Sequence, residues 1–395
     1  MSAAGGAPPL YLDHAASTPL RQEARDAMAP FVMGHFANPS GSHSMARAAR
    51  RALEEAREQV AALVGARPAE VVFTSGGTEA DNLAVLGTLL AGGEGGPVKA
   101  LCSAIEHAAV LEPLRAISDG RFARRAELAE IGVDEAAVID IDQLSAALDD
   151  GVRLVSVMAA NNEVGTVQPL AEVAGVVRGS APAAVLHTDA VQAAGYLDLA
   201  TVASGFDLVS LSAHKIGGPK GIGALIVRPP SSLQAILYGG GQEQERRSGT
   251  QNVAGAVGFG AAAAAQRSSR VQETSRLAAL RDRFADMVLD LGGVTETVPR
   301  ASTLPSHCHL LFDGLDHEEL LVLFDRGGLC ASGGASCASG ALGASHVLKA
   351  MGLSDAAARS GIRFSLGHTT VPSEVERAVD VVSATLEALR GVRPR

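Results

Sequence analysis

The chain has 395 residues, 47% of them apolar and 19% charged. That balance fits two or three domains around a large core and excludes an intrinsically disordered chain. Aromatics make up 3% and Trp is absent, so the expected core is aliphatic; 33 basic against 43 acidic residues give a formal charge of −10, which speaks against a direct nucleic-acid partner.

Residues 1–10 carry neither a cationic start nor an apolar run, so no signal peptide is expected. No apolar run is long enough to span a bilayer, and the alanines 261–265 stop at Gln266-Arg267. Strands are predicted over 71–74, 99–103, 153–158, 184–188, 208–212 and 224–227, with helices from Glu79 and over 170–178. The glycine-rich stretch 91–97 reads as a surface turn. Alternation of this kind predicts an α/β fold whose mostly parallel sheet is covered on both faces. From about Val253 the pattern changes. An Ala-rich helix runs towards Leu291 with a possible break at Ser268-Ser269. Further elements follow at 310–312, 318–325, 329–332, 347–351 and 362–365, then a last helix over 372–389. The expected division is an N-terminal segment 1–18 packing with the small domain, a large domain 19–268 and a small α+β domain 269–395. No internal repeat is found.

Four cysteines, Cys102, Cys308, Cys330 and Cys337, are too few and too scattered for a disulfide framework, and no two form a CxxC pair. A reducing cytoplasm and free thiols are expected. His307-Cys308-His309 tempts a metal reading, but strand alternation would send His one way and Cys the other, so no metal is expected.

Three segments carry chemistry. Residues 212–221, Ser-Ala-His-Lys-Ile-Gly-Gly-Pro-Lys-Gly, follow a predicted strand. A partly desolvated Lys215 there would supply a Schiff-base amine, with Ser212 and His214 beside it for a phosphate; a surface lysine in a glycine-rich turn fits the segment alone as well. Asp189 ends another strand, where it can face a pyridine nitrogen or simply cap a helix. Thr74-Ser75-Gly76-Gly77-Thr78-Glu79 is a strand–turn–helix junction whose free amides suit a phosphate, although Thr78 as a plain helix cap is the simpler reading. The consistent order of the three is the informative part.

Together with Tyr11-Leu12-Asp13-His14-Ala15-Ala16-Ser17-Thr18-Pro19, Asn38-Pro39-Ser40, Glu106-His107, Asn161-Asn162-Glu163-Val164-Gly165, Asp189-Ala190-Val191-Gln192, Arg247-Ser248-Gly249-Thr250 and Ile362-Arg363-Phe364-Ser365-Leu366-Gly367, the sequence resembles the cysteine desulfurases. These are pyridoxal 5'-phosphate (PLP) enzymes of fold type I in the class V aminotransferase group. The resemblance covers nearly the whole chain. It implies that Lys215 holds PLP covalently, that Asp189 pairs with the pyridine nitrogen and Gln192 with the ring hydroxyl oxygen, and that His107 stacks on the ring and moves protons. Gly77, Thr78, Ser212 and His214 would grip the phosphate. Thr250 would reach the phosphate of the neighbouring subunit, which implies a homodimer. Asn162 would lie near the ring hydroxyl and the substrate, and Arg363 would clamp the carboxylate of L-cysteine.

The stretch Ser332-Gly333-Gly334-Ala335-Ser336-Cys337-Ala338-Ser339-Gly340 matches the family's catalytic loop, so Cys337 would take the sulfur as a persulfide. Cys330 lies between Leu329 and Ala331 and reads as a core residue. The run from Cys337 to Arg363 matches the longer-loop, NifS/IscS-like branch without a gap. That implies direct hand-over of sulfur to an acceptor protein, an Fe–S scaffold or a tRNA-thiolating enzyme. Gly333, Ala335 and Ser336 stand where Ser, Ser and Ala are usual, and Gly343-Ala344 where Glu-Pro is. Ala108 replaces a common Lys, Ala159 a common His, and Gln244-Glu245-Arg246 a common Arg-Gly-Leu. Alternatives are a selenocysteine lyase or cysteine/cystine lyase, which would not need Cys337, and a weakly active docking platform for sulfur-transfer partners.

Overall fold

The computed structural model describes residues 9–91, 98–231, 233–333 and 344–392. The stretch expected as a turn over 91–97 lies outside the described residues from 92 on. Strands in chain order are β1 (Leu10–Tyr11), β2 (Val71–Thr74), β3 (Val98–Ser103), β4 (Ala126–Ile131), β5 (Val152–Ser156), β6 (Val185–Asp189), β7 (Leu208–Ser212), β8 (Gly223–Val227), β9 (Val294–Glu296), β10 (His307–Phe312), β11 (Leu329–Cys330) and β12 (Gly361–Ser365). Seven of them form a sheet in the order β2-β8-β7-β6-β5-β3-β4. Neighbours in it run parallel, except that β8 lies antiparallel to both β2 and β7. This is the mostly parallel α/β sheet that the alternating pattern predicts. The reversal at β8 has a simple cause. Only residues 213–222 separate β7 from β8, too few for the crossover a parallel partner needs.

β6, β7 and β8 are buried at every position. Alternate residues feed opposite cores: Val209, Leu211, Ala224 and Ile226 point into one, Leu208, Leu225 and Val227 into the other. Both cores are aliphatic apart from a few Phe. Sequence reading missed β4, whose Ala-Glu-Leu-Ala-Glu-Ile resembles a helix by propensity. It becomes a strand because β3 offers a free edge, and six residues pair in register.

The second, smaller sheet, β12-β10-β9, is antiparallel, and β1 pairs in parallel with β11. Its core departs from the aliphatic expectation. Phe284, Phe312, Phe324 and Phe364 cluster with ring centroids 4.8–6.5 Å apart in tilted and edge-on arrangements. Cys308 belongs to this core, while His307 and His309 face the other way. His309 Nδ1 lies 2.6 Å from the Thr297 hydroxyl and His307 Nδ1 2.9 Å from that of Ser306.

One helix, Val253–Leu289, joins the two regions without the break considered at Ser268-Ser269. Both hydroxyls donate to the Ala265 carbonyl at 2.9 Å, so the serines are accommodated within the helix. The Ala- and Gly-rich half packs tightly on the helix Ser44–Leu63. A Cβ at Gly260 would fall 2.8 Å from Ala56 Cα. No helix among the described residues is long and apolar enough to cross a membrane.

A buried ion pair fixes the chain that carries residues 243–251. Arg57 donates to both Glu243 oxygens at 2.7 and 3.0 Å, and Glu243 also accepts from Phe73 N at 2.9 Å and Gln251 at 2.8 Å. Burial alone would raise the Glu243 carboxyl, but the Arg57 guanidinium holds it below the usual carboxylate range. A depressed pKa stabilises the fold above the unfolded value and ceases to do so as pH falls through the folded one. Glu243→Ala is expected to cost about 3–5 kcal/mol, because Arg57 is left charged and buried. Urea denaturation checks this; a change under about 1 kcal/mol would show that water compensates Arg57.

Candidate active site

The parallel strands end on polar residues at one edge of the sheet: Thr74, Ser103, Ser156, Asp189 and Ser212 close β2, β3, β5, β6 and β7. Ligands of open α/β sheets bind at this edge. A cavity of about 200 Å³ opens there, lined by Ala15, Ala16, Gly77, Thr78, Asp81, His107, Met158, Asn162, Asp189, Val191, Gln192, Ser212, His214, Lys215 and Arg363. Ten predicted site residues are thus gathered in one place, Gly77, Thr78, His107, Asn162, Asp189, Gln192, Ser212, His214, Lys215 and Arg363, with Ala15, Ala16 and Val191 of the quoted motifs beside them.

Each side chain is set by its local structure. Lys215 ends the single helical turn Ala213–Lys215 after β7, and Nζ donates to the carbonyls of Ala15 and, at 3.0 Å, Ala16. These two carbonyls hold the amine at the cavity wall. Gln192 Nε2 also donates to Ala15 O, at 2.9 Å, and keeps a second N–H. His107 caps the helix Ala108–Ser118, its Nδ1 accepting from Ala109 N at 3.1 Å. In the neutral ring this leaves the proton on Nε2.

Asp189 is buried on the cavity floor, with one oxygen accepting from Val191 N at 2.9 Å. Desolvation raises its pKa, opposed by His107 and Lys215. At the other end, the helix Gly77–Leu90 presents first-turn amides that have no intrahelical acceptor. Thr78 and Ser212 stand beside them. A Cβ on Gly77 would lie 2.9 Å from Val191 Cγ2, so the backbone can approach only as glycine. Burial, with Lys215 and Lys220 adding, lowers His214 to about 4; it is neutral near pH 7 and lies 3.3 Å from the Ser17 hydroxyl.

Arg363 is buried, on β12. Nη1 donates to Asn162 O and Nη2 to Asp13 Oδ1, both at 2.7 Å, while Nε is buried without a partner. Part of the fork expected on a substrate carboxylate is therefore spent in holding Arg363 itself. Sequence reading assigned no role to Asp13. It lies 350 residues from Arg363 in the chain, and nothing local marks the pair. Asp81 and Met158 are further lining residues it passed over, and Asn161 a positioning one. The Asn161 Oδ1 accepts from Glu163 N and Val164 N at 2.8 and 3.0 Å, and so shapes the turn that presents Asn162.

Cys337 and the motif around it, from residue 334 to 343, lie outside the described residues. Both flanks are hydrogen-bonded to a residue that lines the cavity or to a chain neighbour of one. Ser332 exchanges backbone hydrogen bonds of 3.1 and 2.7 Å with Arg363. Ser345 donates to Glu163 at 2.5 Å, and His346 Nε2 lies 3.0 Å from Glu106 O. Thr250 is exposed and does not line the cavity; Arg247 nearby pairs with Glu79 at 2.7 Å.

The donor set can take an oxyanion at the helix start, a basic ring nitrogen at Asp189, a carbonyl carbon at Lys215 and a carboxylate near Arg363. The aminotransferase class-V family model matches residues 10–378. A cysteine desulfurase IscS of Dictyoglomus turgidum is 38% identical over 98% of this chain and 96% of its own length. An IscS-like cysteine desulfurase of Mycobacterium tuberculosis is 40% identical over 96% of this chain and 97% of its own. The solved structure of a NifS-like protein superposes with a TM-score of 0.89 at 31% identity, covering 96% of this chain and 100% of that one.

Proposed function

The chain belongs to the aminotransferase class-V family, and on that premise we propose that it is a PLP-dependent cysteine desulfurase. The reaction is L-cysteine plus enzyme thiol to L-alanine plus enzyme persulfide, with Cys337 as the thiol. The observation that carries this reading is the convergence of Lys215, Asp189, His107 and Arg363 on one cavity.

The residues fit PLP. Lys215 would hold it covalently, Asp189 would pair with its ring nitrogen and Gln192 with its ring hydroxyl oxygen, and His107 would stack on it. Gly77, Thr78, Ser212 and His214 would bind the phosphate. Thr250 would reach the phosphate bound by the neighbouring subunit of a homodimer. Bound PLP supplies an electron sink that makes the substrate's α-proton acidic. Lys215 Nζ then moves that proton at Cα, its amine held beside the carbonyls of Ala15 and Ala16. Asn162 and Arg363 orient the substrate, Arg363 through its remaining N–H groups. The Cys337 thiolate attacks the cysteine sulfur; an S–S bond forms, the Cβ–S bond breaks, and its electron pair stays on the carbon skeleton, which His107 protonates. The persulfide then passes to an acceptor, an Fe–S scaffold or a tRNA-thiolating enzyme, in a reducing cytoplasm. Purified protein with PLP and L-cysteine should form alanine and persulfide in equal amounts; ammonia and pyruvate instead would identify a β-eliminating lyase.

Arg363→Lys keeps the charge but cannot bond Asp13 and Asn162 O while facing a substrate. The expected loss in substrate binding is about 1.5–3 kcal/mol, the scale of a hydrogen bond to a charged group. PLP loading should be unchanged. An unaltered KM for cysteine would remove Arg363 from the substrate site.

A further inference from the structure

The chain itself supplies a carboxylate to the guanidinium that the substrate carboxylate would use. Arg363 lines the cavity with its side chain 3% exposed, and Asp13, 20% exposed, pairs with it without being among the lining residues. Asp13 is fixed by backbone as well as by charge, because its segment pairs with the strand that carries Arg363. It forms a parallel bridge with Ser365 of β12. Ser365 N donates to Leu12 O at 2.8 Å and His14 N to Ser365 O at 3.2 Å, while Ala15 N donates to the Ser365 hydroxyl at 2.8 Å. Carboxylate and guanidinium therefore sit on one frame, and no separate element has to move for them to meet.

Donors and charge are unequally used at Arg363. Of the five N–H groups of an arginine, Asp13 Oδ1 and Asn162 O take one each at 2.7 Å, so three remain. One of these, on Nε, is buried with no partner, and a buried donor is costly until an acceptor reaches it. The charge, by contrast, is already shared. Among the described residues, Asp13 is the one carboxylate hydrogen-bonded to Arg363. Burial raises Glu163 above its ordinary value despite Arg363 nearby. Burial, with Arg363 adding, also lowers His307 and His309 to about 3, so both are neutral near pH 7.

We infer that Asp13 is a positioning residue that shares Arg363 with the substrate carboxylate and weakens its binding, so that the substrate is recognised by hydrogen-bond geometry more than by charge. Two carboxylates on one guanidinium repel each other across it. L-Alanine carries the same carboxylate as L-cysteine and is released more easily for the same reason. An anion without an amino group gains too little at a compensated arginine to fill the cavity. What enters the cavity rests on the PLP reading; the ion pair stands without it.

L-Alanine added to the PLP-loaded protein should change the visible spectrum, which gives its Kd without turnover. Asp13→Asn keeps an oxygen acceptor for Nη2 but loses the charge. Its Kd for L-alanine should fall at least about fivefold, the low end of coupling between linked sites. Ethylamine, which lacks the carboxylate, should bind variant and wild type equally. Asp13→Glu keeps the charge and should not tighten L-alanine. An unchanged or raised Kd in Asp13→Asn, the same gain for ethylamine, or a tightening in Asp13→Glu would overturn the role of Asp13. A crystal structure of the wild type with PLP and L-alanine depends on no variant folding, and both carboxylates should lie on Arg363. Asp13 turned away from Arg363 in that complex would sink the role of Asp13 and leave the desulfurase reading intact. A wild type that binds ethylamine as tightly as L-alanine would instead remove Arg363 from the substrate site, and the role of Asp13 with it.

Discussion

Lys215→Ala is expected to abolish covalent retention of PLP and to reduce alanine formation by at least about 10²–10⁴-fold, the share of a positioned acid–base group alone. The amine is needed twice, to hold the cofactor and to move the α-proton. Its setting supports both tasks. It sits at the end of a buried strand, held by the carbonyls of Ala15 and Ala16. The fold should tolerate alanine, because the turn Ala213–Lys215 is set by backbone bonds such as Gly218 N to Ala213 O at 2.8 Å. Visible absorbance after gel filtration and an alanine assay measure the outcome. Near-normal turnover would exclude Lys215 from the reaction.

Cys337→Ser should bind PLP and cysteine as before yet accumulate no persulfide, with alanine formation falling to background. The other thiols are poorly placed to substitute. Burial pushes Cys308 up to about 12 and Cys102 well above its ordinary value, and burial with Asp325 and Asp13 raises Cys330. A thiol is a weak nucleophile; the thiolate is needed. Cys102 and Cys308 lie in core strands, and Cys330 is tied into β11 opposite Tyr11. Position 337 belongs to a segment whose two ends, Ser332 and Ser345, are hydrogen-bonded to Arg363 and Glu163. Intact-mass spectrometry after a cysteine pulse decides the matter. One added sulfur that persists in Cys337→Ser and disappears in Cys330→Ser would reassign the nucleophile.

Much of the architecture was legible locally. Apolar runs ending in a polar residue marked β2, β3, β6 and β7, because a strand buried on both faces has no polar position until it reaches the sheet's edge. The same edge is where Asp189 and Ser212 stand and where Lys215 follows, so the order of those segments already pointed to one site. The helix Ser44–Leu63 was equally readable and was passed over: its buried Ala46, Ala49, Leu53, Ala56 and Val60 recur at helical spacing.

By itself, then, the sequence determined the α/β class, the family and the local chemistry around Lys215, Asp189 and Gly77-Thr78, since each depends on residues close in the chain. Tertiary structure alone decided the rest. Ala126–Ile131 is a strand only because β3 offers it an edge. Arg363 is held by Asp13, 350 residues away, and Lys215 by carbonyls 199 and 200 residues away. Those relations are set by which surfaces pack together in a dry core, where an ionised group must find a partner or give up its charge, and no local pattern in the chain records them.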